Sequence, residues 1–130
     1  MKRKYLIVAS NYYKDITQNL INGALKKLKL KKKVDIIKVP GTFEIPVVIS
    51  KNLKRYNGFI ALGCVIKGET PHFDFICNST FISLINLSIK SKKPIGNGII
   101  TTLNMKQAKK RSFIKGVEAA NAVLEIIKHG

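Results

Sequence analysis

Five consecutive residues, Gly68-Glu69-Thr70-Pro71-His72, bring together the parts of a small anion-handling site. They follow the apolar run Phe59-Ile60-Ala61-Leu62-Gly63-Cys64-Val65-Ile66 and precede Phe73-Asp74-Phe75-Ile76-Cys77, a pattern that reads as buried strand, polar loop and helix. Thr70 suits an N-cap and Pro71 the first helical position. Backbone amides at a helix start can hold an anion, and His72 would stand beside them in the first turn. Imidazole exchanges protons at neutral pH, so this arrangement suits proton transfer on a phosphorylated substrate. The plainer alternative is that His72 only caps or packs the helix start. Asp74 lies two positions on and would not share its helical face, so the pair is not read as a dyad. His129, beside Gly130, reads as a solvated end residue.

Other residues could serve the same chemistry. Arg111 and Lys115 are four apart and share a face if one helix contains both, although a turn near Ser112 would separate them. They could neutralise a phosphate or form a solvated basic patch. Tyr12 and Tyr13 fall in a loop after a strand, where either could stack on a planar heterocycle or seal the core edge. Glu44 could accept hydrogen bonds from ligand hydroxyls or serve as an ordinary first-turn carboxylate. The chain has no GxGxxG, no GxxxxGK[ST] and no GxSxG-type elbow. Its two histidines and two cysteines show no metal-site spacing. The inventory therefore favours acid/base and electrostatic work over covalent or metal catalysis.

Strands alternating with helices must position these residues. Tyr5 to Ala9 reads as a first buried strand and Val34 to Val39 as a second. Phe59 to Val65 makes a third, and Ile95 to Thr101 a fourth. After the first strand, Asp15 and Gln18 have capping-box spacing, and Ile16, Leu20, Ile21, Ala24, Leu25 and Leu28 repeat on one helical face. Pro40-Gly41 turns the chain before a helix near Glu44 to Pro46. A further helix spans about His72 to Ser88. Asn104 and Gln107 repeat the capping-box spacing before a last helix carrying Val117, Ala120, Leu124 and Ile127. The order implies a three-layer α/β/α sandwich with a mostly parallel central sheet, formed by one domain over residues 1–130. Ligands of such sheets gather beyond the C-terminal strand ends. The loops there are Ser10 to Lys14, Pro40 to Phe43, Lys67 to His72 and the segment beyond Thr101.

Composition narrows the partners. With 45% hydrophobic residues in 130, the chain can build a real core. No apolar run is long enough for a membrane span, and the run after Met1-Lys2-Arg3-Lys4 is too short for a signal sequence, so a cytoplasmic location is expected. Cys64 and Cys77 read as free buried thiols. The formal charge of +17 invites a nucleic-acid reading, but the lysines cluster near helix ends and only Arg3, Arg55 and Arg111 are arginines. A small anionic substrate benefits equally from the positive field, and nucleic acid is the less favoured partner. An RNA-binding or structural basic protein is the runner-up reading, and an inactive assembly protein is a third.

Several blocks carry a resemblance across nearly the whole chain. They are Ile7-Val8-Ala9-Ser10-Asn11-Tyr12-Tyr13-Lys14-Asp15-Ile16, Val39-Pro40-Gly41-Thr42-Phe43-Glu44-Ile45-Pro46, the stretch Leu62 to Asp74 with Lys67-Gly68-Glu69-Thr70-Pro71-His72 at its centre, Asn97-Gly98-Ile99-Ile100-Thr101-Thr102, and Lys115-Gly116-Val117-Glu118-Ala119-Ala120. In order and spacing the chain resembles the lumazine synthase family of riboflavin biosynthesis. The resemblance implies condensation of 5-amino-6-(D-ribitylamino)uracil with 3,4-dihydroxy-2-butanone 4-phosphate, without cofactor or metal. It implies that Tyr12 stacks on the pyrimidine, that Thr42, Phe43 and Glu44 line the ribityl site, and that Val65, Ile66 and Lys67 border the ring. Glu69 and Thr70 would supply phosphate-loop amides and His72 would transfer protons. Asn97, Arg111 and Lys115 would reach a site shared with a neighbouring subunit, with Arg111 on the phosphate. The implied assembly is a homopentamer, which some members build into icosahedral shells. Three features depart from the pattern: Asn11 stands where many members have arginine, the Arg111 to Lys115 stretch is shorter than usual, and most of the extra N-terminal strand is missing.

Overall fold

The computed structural model describes residues 3–28, 33–69 and 72–130. In chain order these form β1 (Lys4–Ser10), α1 (Lys14–Leu28), β2 (Lys33–Val39), a 3-10 turn (Thr42–Glu44), α2 (Ile45–Lys51), β3 (Gly58–Ile66), α3 (Phe73–Ser91), β4 (Ile95–Thr102) and α4 (Met105–Lys128). The sheet order is β2-β1-β3-β4, and every pairing among the described residues is parallel. The mostly parallel sheet read from sequence is thus wholly parallel here.

Strand composition explains strand position. All nine residues of β3 are buried, as a central parallel strand covered by helices on both faces requires. β2 exposes Lys33, Ile36 and Lys38, and lies at a sheet edge, where charged side chains discourage further strand pairing. The two-residue period of the central strands divides the core into two layers. Tyr5, Ile7, Ala9, Ile60, Leu62, Cys64 and Ile66 pack with buried residues of α1 and α4. Leu6, Val8, Phe59, Ala61 and Val65 pack on the other face with residues of α2 and α3. A three-layer α/β/α sandwich results.

The first layer depends on a close helix crossing. A Cβ on Gly23 of α1 would lie 2.1 Å from the Phe113 carbonyl oxygen, and one on Gly116 of α4 would lie 2.1 Å from that of Leu20. Backbone meets backbone at this crossing, and only hydrogen in place of a side chain permits it.

Helix ends depart from the sequence expectations in several places. Helix α1 begins at Lys14, so Asp15 lies in its first turn and does not cap it. Gln18 donates to Asn22 Oδ1 at 2.9 Å instead of closing a capping box. The start of α1 is tied down by Thr17, whose amide donates to the Tyr13 carbonyl at 2.9 Å and whose hydroxyl donates to the Ser10 carbonyl. At α4 the expected cap forms: Asn104 Oδ1 accepts the Gln107 amide at 2.9 Å. The reciprocal bond is shifted by one residue, with Gln107 Oε1 accepting the Leu103 amide at 3.0 Å. No turn interrupts α4 near Ser112, whose hydroxyl donates back to the Lys109 carbonyl at 3.1 Å, so Arg111 and Lys115 share a helical face. Helix α3 starts at Phe73 with His72 in the cap position. The capping roles expected of Thr70 and Pro71 lie outside the described residues. Among the described residues no helix is long and apolar enough to cross a membrane.

Substituting alanine for Gly23 or Gly116 should destabilise the protein by about 1–3 kcal/mol, because the helices must separate to admit a methyl group. Urea denaturation followed by circular dichroism measures this, and an unchanged midpoint would show that the crossing is looser than described.

Candidate functional site

From β1 the chain crosses to β2 on one side and later returns to β3 on the other, so the loops after β1 and β3 diverge. Such a switch point leaves a crevice beyond the C-terminal strand ends. A cavity of about 280 Å³ lies there. The loop after β1 contributes Tyr12 and Tyr13, and the segment after β2 contributes Gly41, Thr42 and Phe43. Cys64, Val65 and Ile66 of β3, Glu69 beyond it and Ile76 of α3 complete the lining.

Local packing opens this space. Gly63 brings three elements together: a Cβ there would sit 3.2 Å from both Ser10 Cβ and Thr42 Oγ1. Thr42 is buried beneath the cavity. The aromatic rings of Tyr12 and Phe43 are 67% and 62% exposed, so they project into open space instead of sealing the core. Tyr12 meets Tyr13 edge to face with centroids 4.9 Å apart. Aromatic rings over an apolar floor can receive a planar ring system.

The loop after β3 turns sharply. Gly68 has φ +87°, a left-handed conformation that glycine adopts without Cβ strain. The Lys67 amide donates to the Thr102 carbonyl at 2.9 Å, and the Glu69 amide donates to the Ile66 carbonyl at 3.2 Å. The Glu69 backbone donor expected to face a phosphate is thus engaged in the loop's own turn. The Glu69 side chain instead crosses the cavity, where its Oε2 accepts a 2.8 Å hydrogen bond from the Tyr13 hydroxyl. Burial, followed by this bond and the carboxylate's charge, pushes the Tyr13 phenol well above its ordinary range. Burial, with Glu69 adding to it, pushes the Cys64 thiol up to about 11.

Tyr12, Thr42, Phe43, Val65, Ile66 and Glu69 therefore converge on one cavity, as their sequence positions suggest. Glu44 half-faces an adjoining groove of about 330 Å³, which shares Phe43 and runs between α2 and α3. His72 is exposed, and its carbonyl accepts the amide of the cavity-lining Ile76 at 2.8 Å, one helical turn away. Lys67 is exposed at the end of β3. Asn97, Arg111 and Lys115 are not among the cavity's lining residues. Asn97 lies exposed on β4, with its Oδ1 accepting the Ile99 amide at 3.0 Å. Arg111 is exposed and Lys115 half-buried on α4. Thr70 falls outside the described residues. Sequence reasoning did not assign Gly41, Cys64 or Ile76 to the site, and left Tyr13 between ligand stacking and core sealing. Their clue was shared adjacency to C-terminal strand ends, which becomes specific only once strand order is known.

The fold and cavity define an α/β protein with a cavity at the switch point of a parallel sheet. The family model described as 6,7-dimethyl-8-ribityllumazine synthase matches residues 2–129. A protein of that name from Nitratidesulfovibrio vulgaris (strain DSM 19637 / Miyazaki F) is 40% identical over 96% of this chain and 86% of its own length. Namesakes from Limosilactobacillus reuteri (strain DSM 20016) and Bartonella henselae (strain ATCC 49882 / DSM 28221 / CCUG 30454 / Houston 1) are each 42% identical. Those matches cover 93% and 99% of this chain, and 85% and 96% of the relatives. The chain belongs to the 6,7-dimethyl-8-ribityllumazine synthase family.

Burial keeps both cysteines protonated at pH 8, since each thiol is shifted upward. A disulfide reagent should therefore react with native Cys64 and Cys77 at least about tenfold more slowly than with the unfolded chain in guanidinium. Equal rates would show that neither thiol is enclosed.

Proposed function

We propose that the cavity at the β1–β3 switch point holds the pyrimidine of 5-amino-6-(D-ribitylamino)uracil while it condenses with 3,4-dihydroxy-2-butanone 4-phosphate. Family membership gives the activity, formation of 6,7-dimethyl-8-ribityllumazine in riboflavin biosynthesis, and makes the chain a transferase. The observation that carries the site assignment is the convergence of Tyr12, Thr42, Phe43, Val65, Ile66 and Glu69 on a cavity at the C-terminal strand ends. The chain acts as one domain of this kind.

The reaction makes modest demands on the protein. The ketone is already an electrophile and the uracil amine a nucleophile, so imine formation, phosphate elimination, enolisation and ring closure need alignment and staged proton transfer. Tyr12 stacks on the ring above the Val65 and Ile66 floor, with Lys67 at its border. Thr42, Phe43 and Glu44 accommodate the ribityl chain along the passage from cavity to groove, where the Glu44 carboxylate accepts hydroxyl hydrogen bonds. His72 exchanges the protons, and the loop through Glu69 and Thr70 receives the phosphate near the start of α3.

Asn97, Arg111 and Lys115 serve a cavity on a neighbouring copy, where Arg111 pairs with phosphate. Their absence from the cavity of their own chain supports this division. Exposed Val47 on α2 and exposed Phe75, Ile82, Ile85 and Ile89 on α3 support association, because they offer more apolar surface than an isolated helix face needs. The assembly is a cytoplasmic homopentamer with sites between subunits; a larger icosahedral shell would appear as a further mass.

Mixing the two substrates with the protein should give the lumazine absorbance, and native mass spectrometry should give five copies. His72→Ala should lower kcat by about a hundredfold with little change in Tm, as removal of a proton-transfer group from an exposed position predicts. Arg111→Ala should chiefly raise KM for the phosphorylated ketone. Absence of product, or wild-type kinetics in both variants, would defeat the assignment. RNA binding that falls steeply with salt, without lumazine formation, would favour the basic-protein reading.

A further inference from the structure

The cavity presents an electrostatic puzzle. Of its ten lining residues only Glu69 is charged, although the chain carries 24 Lys and Arg against 7 Asp and Glu. Among the described residues, a carboxylate is thus the one formal charge lining a site whose proposed substrate bears phosphate. Like charges at close range oppose binding, and solvent around the exposed Glu69 weakens that opposition without removing it.

The surroundings of Glu69 answer the puzzle. Its Oε2 accepts the Tyr13 hydroxyl at 2.8 Å, across the gap between the loops after β1 and β3. Tyr13 is itself anchored. It is half-buried and packs against the core on the α1 and α4 side. Its carbonyl accepts the Thr17 amide at 2.9 Å, and its ring contacts Tyr12. Among the described residues, nothing beyond its chain neighbours lies within 4 Å of a Cβ placed on Gly68, so the turn leading into Glu69 rests on the Lys67 and Glu69 backbone bonds and gains little from side-chain packing there. We propose that Tyr13 is a positioning residue whose hydroxyl holds the Glu69 carboxylate against the β1 side of the cavity and keeps it off the phosphate-bearing part of the substrate. This deepens the proposed function and rests on it for the identity of the phosphate ester. The phenol remains a donor through the neutral range because burial and the carboxylate both oppose its ionisation. The Tyr12 ring, braced edge-on by Tyr13, is held by the same contact.

The test uses inorganic phosphate as probe, so it does not require turnover. Phosphate affinity is measured by calorimetry for the wild-type protein, Tyr13→Phe, Glu69→Gln and the double variant. Tyr13→Phe keeps the ring and removes only the hydroxyl, and should weaken phosphate binding about three- to tenfold, the range for one hydrogen bond to a partly solvated charge. Adding Glu69→Gln should return affinity to within about twofold of wild type, because the released group no longer carries charge. A wild-type protein that binds no phosphate, a Tyr13→Phe variant with unchanged affinity, or a double variant as weak as the single would each overturn the proposal. The last pattern is the one that mere loss of packing would produce. In steady state, Tyr13→Phe should raise KM for the phosphorylated ketone and leave KM for the uracil substrate unchanged; an equal rise in both would also overturn it. If the wild-type protein makes no lumazine, the proposed function fails, and the phosphate series still decides whether Tyr13 restrains Glu69.

Discussion

The pairing of β1 with β3, from Tyr5 opposite Gly58 to Ala9 opposite Leu62, is the constraint on which the candidate site depends. Both strands run the same way and both end beneath the cavity, but the chain leaves them toward different sides of the sheet. The crevice follows from that divergence and needs no specialised loop to create it. The register also determines what faces the crevice. A one-residue slip would exchange the side chains packed beneath α1 and α4 with those beneath α2 and α3. Cys64 and Ile66 belong to one layer and Val65 to the other, yet all three reach the cavity because they stand at the strand's end.

The close crossing of α1 and α4 has a related consequence. Contact through Gly23 and Gly116 brings the two helix backbones together over one sheet face. The first turn of α1 follows directly from Tyr12 and Tyr13, so the aromatic wall of the cavity is joined to a rigid helix pair. The Thr17 bonds to Ser10 and Tyr13 fasten that wall to the end of β1. The segment Lys67-Gly68-Glu69 is built differently, around a glycine turn closed by backbone bonds, and its Glu69 side chain crosses to the other wall. One side of the site is therefore held by helix packing together with the Thr17 bonds, and the other by hydrogen bonds alone among the contacts named.

Much of this could be read before any coordinates. The apolar runs located all four strands to within two residues at either end, because a central parallel strand must be apolar on both faces and stands out from its surroundings. The Asn104 cap was equally visible, since its side chain acts on a donor three residues away. Asp15 failed as a cap for a long-range reason: Thr17 and the Ser10 carbonyl fix where α1 begins, and that carbonyl belongs to the preceding strand. The continuous helix through Ser112 was ambiguous because Arg111-Ser112-Phe113-Ile114-Lys115 carries no strong helix breaker and no strong helix signal; packing of the Phe113 backbone and Gly116 against α1 favours it. The Arg111 to Lys115 segment is thus helical throughout. The nearness of motif residues such as Tyr12, Thr42 and Val65 to one cavity was legible from their places at strand ends. The Tyr13–Glu69 bond was not, since it joins positions 56 residues apart and depends on sheet order.

Charge joins the fold to the chemistry at two scales. A net charge of +17 gives the whole chain an attractive field for anions, but salt screens such a field over about 8 Å at physiological ionic strength. It can gather a phosphorylated substrate toward the surface without orienting it. Orientation requires groups within hydrogen-bonding reach, and the cavity's own charged contribution is a carboxylate. Any guanidinium or ammonium that grips phosphate must come from outside the ten described lining residues. Arg111 and Lys115 carry such groups on one face of α4 and are not among the residues lining the cavity of their own chain. A monomer would then attract its anionic substrate and hold it poorly, whereas an assembly that brings α4 of one copy to the cavity of the next would supply the missing cations. The exposed apolar side chains of α2 and α3 fit the proposed association, and the electrostatics of the cavity would give it a use.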